Sequence, residues 1–153
     1  HRAENTDDPR NLRAIFDALE KINDECPVVL PIHPRTRKIV RSLELKTNVT
    51  MLEPVSYFDM LRLLGKCEIV LTDSGGLQKE AYFFGKPCVT LRDETEWVEL
   101  VETGANRVTG ADTTKIVAAF REMRGKAAEA DKRLYGDGTA ARMIAETLAS
   151  HTF

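Results

Sequence analysis

The sequence has little excess of charge of either sign and no long apolar run. Its 22 Lys and Arg residues face 24 Asp and Glu residues, which leaves a formal net charge of -2. Nucleic-acid-binding modules usually carry a strongly basic surface, so we expect no nucleic-acid partner. No stretch approaches the roughly 20 apolar residues that span a bilayer, and the first residues lack the apolar core of a signal peptide. We therefore expect a soluble cytoplasmic protein with no membrane contact.

Cysteine and histidine are also scarce. The three cysteines are odd in number, widely spaced and beside apolar residues, a pattern that favours reduced thiols in a core over disulfides or a metal site. These residues are Cys26, Cys67 and Cys88. The three histidines are scattered at His1, His33 and His151. We expect no metal site.

Several motifs of phosphate and acyl chemistry are missing. There is no G-x-G-x-x-G for a dinucleotide and no G-x-x-x-x-G-K for a nucleoside triphosphate. Ser74 lacks the G-x-S-x-G context of a hydrolase nucleophile. We therefore expect no nicotinamide or flavin site of that type, no triphosphatase and no serine hydrolase.

Apolar periodicity predicts an α/β domain. The 153 residues suit one compact domain. Helical spacing predicts a helix over residues 9 to about 25 with Asp8 as its N-cap, a helix after Ser56 and a terminal helix after residue 138. Short apolar runs predict strands at 28–33, 48–52, 68–72, 88–91 and 106–109. The alternation of strands and helices predicts a Rossmann-like parallel sheet with helices on both faces.

The segment Asp73-Ser74-Gly75-Gly76 follows a predicted strand and precedes a predicted helix from Leu77. Ligands of parallel sheets bind beyond the carboxyl ends of the strands. The first N–H groups of a helix have no partner within the helix, and the helix dipole favours an anion there. The segment therefore predicts a phosphate-binding turn, the alternative being a tight strand–helix turn without a ligand.

Glu80 lies one helical turn beyond Gly76. A carboxylate on that face, near the mouth of the turn, can accept hydrogen bonds from both hydroxyls of a ribose. The alternative is an ordinary solvated glutamate of a helix. Both interpretations are compatible with the spacing alone.

Six stretches together resemble the C-terminal domain of the non-hydrolysing UDP-N-acetylglucosamine 2-epimerases, in the order of that family and along the whole chain. They are His1-Arg2-x-Glu4-Asn5, Pro31-Ile32-His33-Pro34-Arg35-Thr36-Arg37, Leu71-Thr72-Asp73-Ser74-Gly75-Gly76-Leu77-Gln78-x-Glu80-Ala81, Gly85-x-Pro87, Leu91-Arg92-Asp93-x-Thr95-Glu96 and Tyr135-Gly136-Asp137-Gly138.

The resemblance implies a two-domain fold of the GT-B type, with residues 1–153 as the UDP-binding C-terminal domain and the catalytic N-terminal domain outside this chain. The first residue is His rather than Met, which also suggests a fragment. By resemblance, the diphosphate is bound by Ser74, Gly75 and Gly76 and the ribose by Glu80. Val55, through its backbone, and Met60 line the uracil pocket, and Arg92 is a further residue that binds the UDP-sugar. His1 is the catalytic residue that the resemblance places near the diphosphate and the sugar.

The resemblance also implies a reaction. The family eliminates UDP from UDP-N-acetylglucosamine to leave a 2-acetamidoglucal, then adds UDP back with the opposite configuration at C2, without a cofactor. The acid/base carboxylates belong to the N-terminal domain, so we expect this chain alone to be inactive. Members of the family are commonly dimers, so the resemblance also implies that the intact protein is a homodimer. The biological setting implied is cell-envelope polysaccharide biosynthesis.

One position departs from the family pattern. Many members continue Thr-Glu with Arg-Pro-Glu, where Arg contributes to the nucleotide site, but this sequence has Trp97-Val98-Glu99. A branch that acts on another UDP-2-acetamido sugar, such as a uronic acid derivative, is therefore an alternative substrate class. The donor-binding half of a GT-B glycosyltransferase and a free-standing nucleotide-binding module are further alternatives.

Overall fold

A computed structural model describes residues 2–126 and 134–151. Its helices are α1 (Ala3–Thr6), α2 (Pro9–Asn23), α3 (Pro34–Ser42), α4 (Tyr57–Lys66), α5 (Gly75–Phe83), α6 (Val98–Glu102), α7 (Thr113–Met123) and α8 (Ala140–Ser150). Its strands are β1 (Val29–Pro31), β2 (Thr50–Leu52), β3 (Val70–Thr72), β4 (Cys88–Thr90) and β5 (Asn106–Val108).

Local capping determines where the two best-predicted helices begin. The Asp8 carboxylate accepts a 2.8 Å hydrogen bond from the Arg10 N–H, and Pro9 occupies the first position of α2, where no N–H is needed. The Ser56 hydroxyl accepts a 3.2 Å bond from the Asp59 N–H at the start of α4. Both predicted N-caps are confirmed.

All strand pairing is parallel, as expected, but it divides into a two-stranded sheet, β1-β2, and a three-stranded sheet, β3-β4-β5. Val28 O accepts from Thr50 N and Ile32 N donates to Leu52 O, so the backbone groups of the residues on either side of β1 point toward β2, as do those of Leu30 between them. The opposite edge therefore carries Val29 and Pro31. Because proline has no N–H, Val29 is the residue of β1 that can donate from this edge.

A crevice of about 520 Å³ lies between the two sheets, lined by residues of both β1 and β3. At the carboxyl ends of the strands its lining includes His33, Thr72 and Asp73. The crevice therefore opens toward the edge where the phosphate-binding turn was predicted.

Helices cover both faces of the strands, as the alternation predicted. Adjacent residues of β4 show this, since Val89 packs with the α2 and α7 residues of the largest core cluster, while Cys88 packs with Leu64 of α4 and Ala81 of α5. All three cysteines are free thiols. Burial raises the pKa of the Cys88 thiol to about 12, so this thiol is neutral at physiological pH.

Some expectations were wrong in detail. Helix α5 begins at Gly75, two residues before the predicted Leu77, so both glycines belong to its first turn. Tyr57 was grouped with the apolar stripe of α4 but is 60% exposed. Helix α1 was not predicted, because its four residues are polar or small. Every side chain of the predicted terminal helix, α8, is exposed. Over the described ranges, none of the helices has the length and apolar character needed to cross a membrane.

Candidate functional site

The turn between β3 and α5 is built from hydrogen bonds at the end of the strand. The Ser74 N–H donates to Thr72 Oγ1 over 3.0 Å, and Ser74 Oγ caps α5 by accepting from the Leu77 N–H over 3.5 Å. Ser74 is exposed, so its hydroxyl is also accessible from solvent. The predicted phosphate-binding residues thus form the first turn of a capped helix.

The two glycines of this turn have different surroundings. Gly75 is buried, and a Cβ there would collide with the Glu96 carboxylate and lie 3.6 Å from Trp97 Nε1. A Cβ at Gly76 would meet no atom within 4 Å. A side chain at Gly75 would therefore have to displace the Glu96 carboxylate, whereas at Gly76 the protein leaves open space above the helix terminus.

The open space suits an anion. The first N–H groups of α5 point out of the helix, and the helix dipole adds a partial positive charge there. Glu80 follows Gly76 by one helical turn, lies on the same face of α5 and is half-buried. The predicted diphosphate and ribose residues therefore share one helix end, although their roles stay predictions.

The N-terminal motif lies against this turn. The Asp73 carboxylate accepts hydrogen bonds from the Arg2 N–H over 2.9 Å and from Asn5 Nδ2 over 3.4 Å, and Asn5 Nδ2 also donates to Leu91 O over 2.7 Å. Burial alone raises the pKa of Asp73, but the bonds from Arg2 and Asn5 contribute to a net lowering. His1, the predicted catalytic residue, lies outside the described residues.

Arg92 lies at the end of β4 beside the turn. Its guanidinium donates a 2.6 Å bond to Glu96, and Arg2 is 3.7 Å from the same carboxylate. The backbone amide of Glu96 and the Arg92 guanidinium hold the pKa of Glu96 below its ordinary value. The charge of Arg92 is thus paired with Glu96, the residue whose carboxylate adjoins Gly75, and its contact with UDP stays a prediction.

A sequence model of the UDP-N-acetylglucosamine 2-epimerase family matches residues 1–149. The chain belongs to this family. It is 55% identical to the UDP-2,3-diacetamido-2,3-dideoxy-D-glucuronate 2-epimerase of Pseudomonas aeruginosa. The similarity extends over 150 residues, which are 97% of this chain and 42% of that protein. It is 37% identical to the UDP-N-acetylglucosamine 2-epimerase of Methanocaldococcus jannaschii, again over 97% of this chain and 42% of the relative.

The epimerase fold is also shared with solved structures. The Methanocaldococcus jannaschii UDP-GlcNAc 2-epimerase superposes with a TM-score of 0.87 at 36% identity, over 99% of this chain and 44% of that one. A structure of that enzyme in complex with UDP-GlcNAc and UDP gives a TM-score of 0.86. The chain spans less than half the length of these relatives. The expected family and α/β fold are confirmed.

Two residues predicted for the nucleotide site of the epimerase lie on the segment after β2. Met60, in α4, lines the crevice together with Thr72 and Asp73. Val55 lies in the loop before α4 and is half-buried. The structure thus brings Met60 to the same strand ends as the turn, and the uracil contact of both residues stays a prediction.

A buried polar network behind the turn was missed. Gln78 is fully buried, and its Oε1 accepts bonds from Thr95 Oγ1 over 2.6 Å and from Asn106 Nδ2 over 3.0 Å. The indole N–H of Trp97 donates to Gly75 O over 2.8 Å. The available signal was the only tryptophan of the chain within a polar segment, whereas Gln78, followed by Lys79 and Glu80, gives no sign of its burial.

No group of three or more His, Cys, Asp or Glu side chains close enough to hold a metal ion occurs in the part of the chain that the structure describes. The groups that the described residues place at the turn are amide and hydroxyl donors, guanidinium groups and carboxylates.

Proposed function

We propose that this chain is the UDP-binding half of an enzyme that inverts C2 of a UDP-2-acetamido sugar. The observation that carries the proposal is the open N-terminal turn of α5, where Ser74 and the amides after it face space that a Cβ at Gly76 would enter. Family membership supports the nucleotide, and the remaining length of the relatives supports a catalytic domain beyond this chain.

In this proposal the first turn of α5 stabilises UDP, the leaving group of the reaction. In the elimination, the bond between sugar C1 and the UDP oxygen breaks, UDP departs with the electron pair, and C2 loses its proton to a base that we place outside this chain. Donors at Ser74 and the first amides of α5 stabilise the charge that grows on the departing diphosphate. Glu80 holds the ribose so that UDP stays bound until it adds back.

The addition reverses these changes, with a proton delivered to the other face of C2. Elimination and addition together are redox-neutral, so the cycle needs no electron-accepting cofactor.

We further propose a cytoplasmic homodimer of the intact protein. His1 belongs to this proposal as a group close to the diphosphate.

UDP-N-acetylglucosamine is the first candidate substrate. The second is a UDP-2,3-diacetamido-2,3-dideoxy-glucuronate, favoured by the 55% identity to the Pseudomonas aeruginosa enzyme. Turnover of both by the full-length protein, in the absence of a sugar acceptor, decides between them. Formation of an epimerised UDP-sugar supports the proposal, whereas transfer that requires an acceptor supports a glycosyltransferase.

Gly76→Ala tests the phosphate-binding turn directly. The added methyl has room in the free protein, so we expect a stability equal to or about 0.5–1 kcal/mol above that of the wild type. It occupies the space given to the diphosphate, so we expect UDP affinity, measured by calorimetry on the full-length protein, to fall at least about tenfold.

Gly65→Ala is the matched control. Gly65 is an exposed glycine of α4, where a Cβ would make an ordinary 3.8 Å contact with the Phe84 ring. We expect it to gain similar helix stability and to bind UDP as the wild type does. Equal UDP affinities of the Gly76 and Gly65 variants would contradict the proposed site.

A further inference from the structure

Trp97 joins the segment before α6 to the predicted diphosphate turn. Its Nε1–H donates a 2.8 Å hydrogen bond to Gly75 O, across 22 positions of sequence. The same residue is the N-cap of α6, so the indole extends from the start of one helix to the first turn of another.

The bond constrains a peptide unit between two glycines. The carbonyl of Gly75 and the N–H of Gly76 belong to one planar peptide group, in which they point in opposite directions. Glycine on both sides leaves this group more rotational freedom than any other pair of residues allows. The helical geometry of α5 already orients this group from Gly75 onward. The indole donor adds a second constraint on the carbonyl, and so on the direction of the Gly76 N–H, one of the outward amides of α5.

Trp97 is itself held in place by α5. The ammonium of Lys79 lies 4.2 Å from the centroid of the indole and 4.1 Å from that of Tyr135, and the two rings pack edge to face at 6.4 Å. The backbone N–H of Trp97 donates to Thr95 Oγ1 over 3.1 Å. Both ends of the residue are thus fixed before any ligand arrives.

We propose that Trp97 is a positioning residue that orients the Gly76 N–H toward the diphosphate. The inference rests on the proposed function of the turn. It assigns to the indole a task that needs no contact with UDP. The diphosphate gains from this arrangement, while the uridine half of the ligand does not.

Trp97→Phe removes the N–H donor and retains an aromatic ring beside Lys79. In the full-length protein we expect the affinity for UDP to fall about 3- to 10-fold, with the affinity for uridine unchanged. Tyr135→Phe is the control, because it removes a 2.7 Å bond to Glu99 in the same cluster without touching Gly75. We expect that control to bind both ligands as the wild type does.

The outcomes separate this inference from the proposed function. A Trp97→Phe protein that loses affinity for UDP and uridine equally, or for neither, overturns the role of Trp97. A wild-type protein that binds UDP no better than uridine overturns the diphosphate turn itself.

A measurement on the unaltered protein covers the case in which the variant does not fold. With ¹⁵N-labelled tryptophan, the Trp97 indole N–H signal should shift when UDP is added and stay in place when uridine is added. A signal that does not move at saturating UDP, or that moves equally with uridine, overturns the inference.

Discussion

The Asp73 carboxylate accepts a 2.9 Å hydrogen bond from the backbone N–H of Arg2, so the N-terminal segment is attached to the end of β3. Asp73→Ala removes this acceptor and also the one used by Asn5. We expect the free energy of unfolding to fall by about 1–3 kcal/mol and amide exchange in residues 3–6 to accelerate. Denaturant titration and hydrogen exchange measure the two effects.

Asp17→Ala controls for the loss of one negative charge, because Asp17 is an exposed residue of α2. We expect it to leave stability within about 0.5 kcal/mol of the wild type. If amide exchange in residues 3–6 were as slow in the Asp73 variant as in this control, the hydrogen bonds to Asp73 would not stabilise the N-terminal segment.

The same carboxylate predicts a pH dependence. The pKa of Asp73 is lowered in the folded protein, whereas an unfolded chain has a value of about 3.9. The contribution of the ionised Asp73 to the free energy of unfolding is therefore fully present above the pKa of the unfolded chain, and it is lost as the pH falls through the pKa of the folded protein. We expect the stability difference between wild type and Asp73→Asn to be large at pH 6 and to shrink below about pH 4.

Glu80 predicts a preference for ribose. If its carboxylate accepts bonds from the ribose hydroxyls, the wild-type protein binds UDP more tightly than 2′-deoxy-UDP, and Glu80→Ala reduces that ratio toward one. Calorimetry with both nucleotides on the full-length protein measures the ratio. An unchanged ratio in the variant would reject the ribose role while leaving the diphosphate turn untouched.

Gln78 and Thr95 should be energetically coupled. Gln78→Leu leaves the buried Asn106 amide without the acceptor it has at 3.0 Å, and we expect a loss of about 1–3 kcal/mol. Thr95→Val removes the 2.6 Å bond from the other side. A double-mutant cycle should give a coupling energy above about 0.5 kcal/mol, and strict additivity would show that the network does not act as a unit.

The parts of the fold that depend on near neighbours could be predicted from the sequence. Asp8 and Ser56 cap their helices through residues two or three positions away, so the spacing alone identifies them. The division of the sheet could not be read this way. It depends on which strands pair, and β1 pairs with a strand about 20 residues later in the chain.

The candidate site shows the same contrast. The Ser74, Gly75 and Gly76 turn is contiguous, and its position at a strand end and helix start was predicted. The bond from Trp97 to Gly75 O and the bond from Arg2 to Asp73 depend on side chains and segments that tertiary packing brings together. Sequence spacing carries no information about either distance.

Helix α8 places Met143, Ile144 and Leu148 on its surface and buries none of its side chains. An isolated helix of 11 residues is marginal in water without packing. On heating this chain, circular dichroism should therefore show a shallow early loss of helicity from residues 140–150. A steep cooperative transition follows when the core around Phe120 melts.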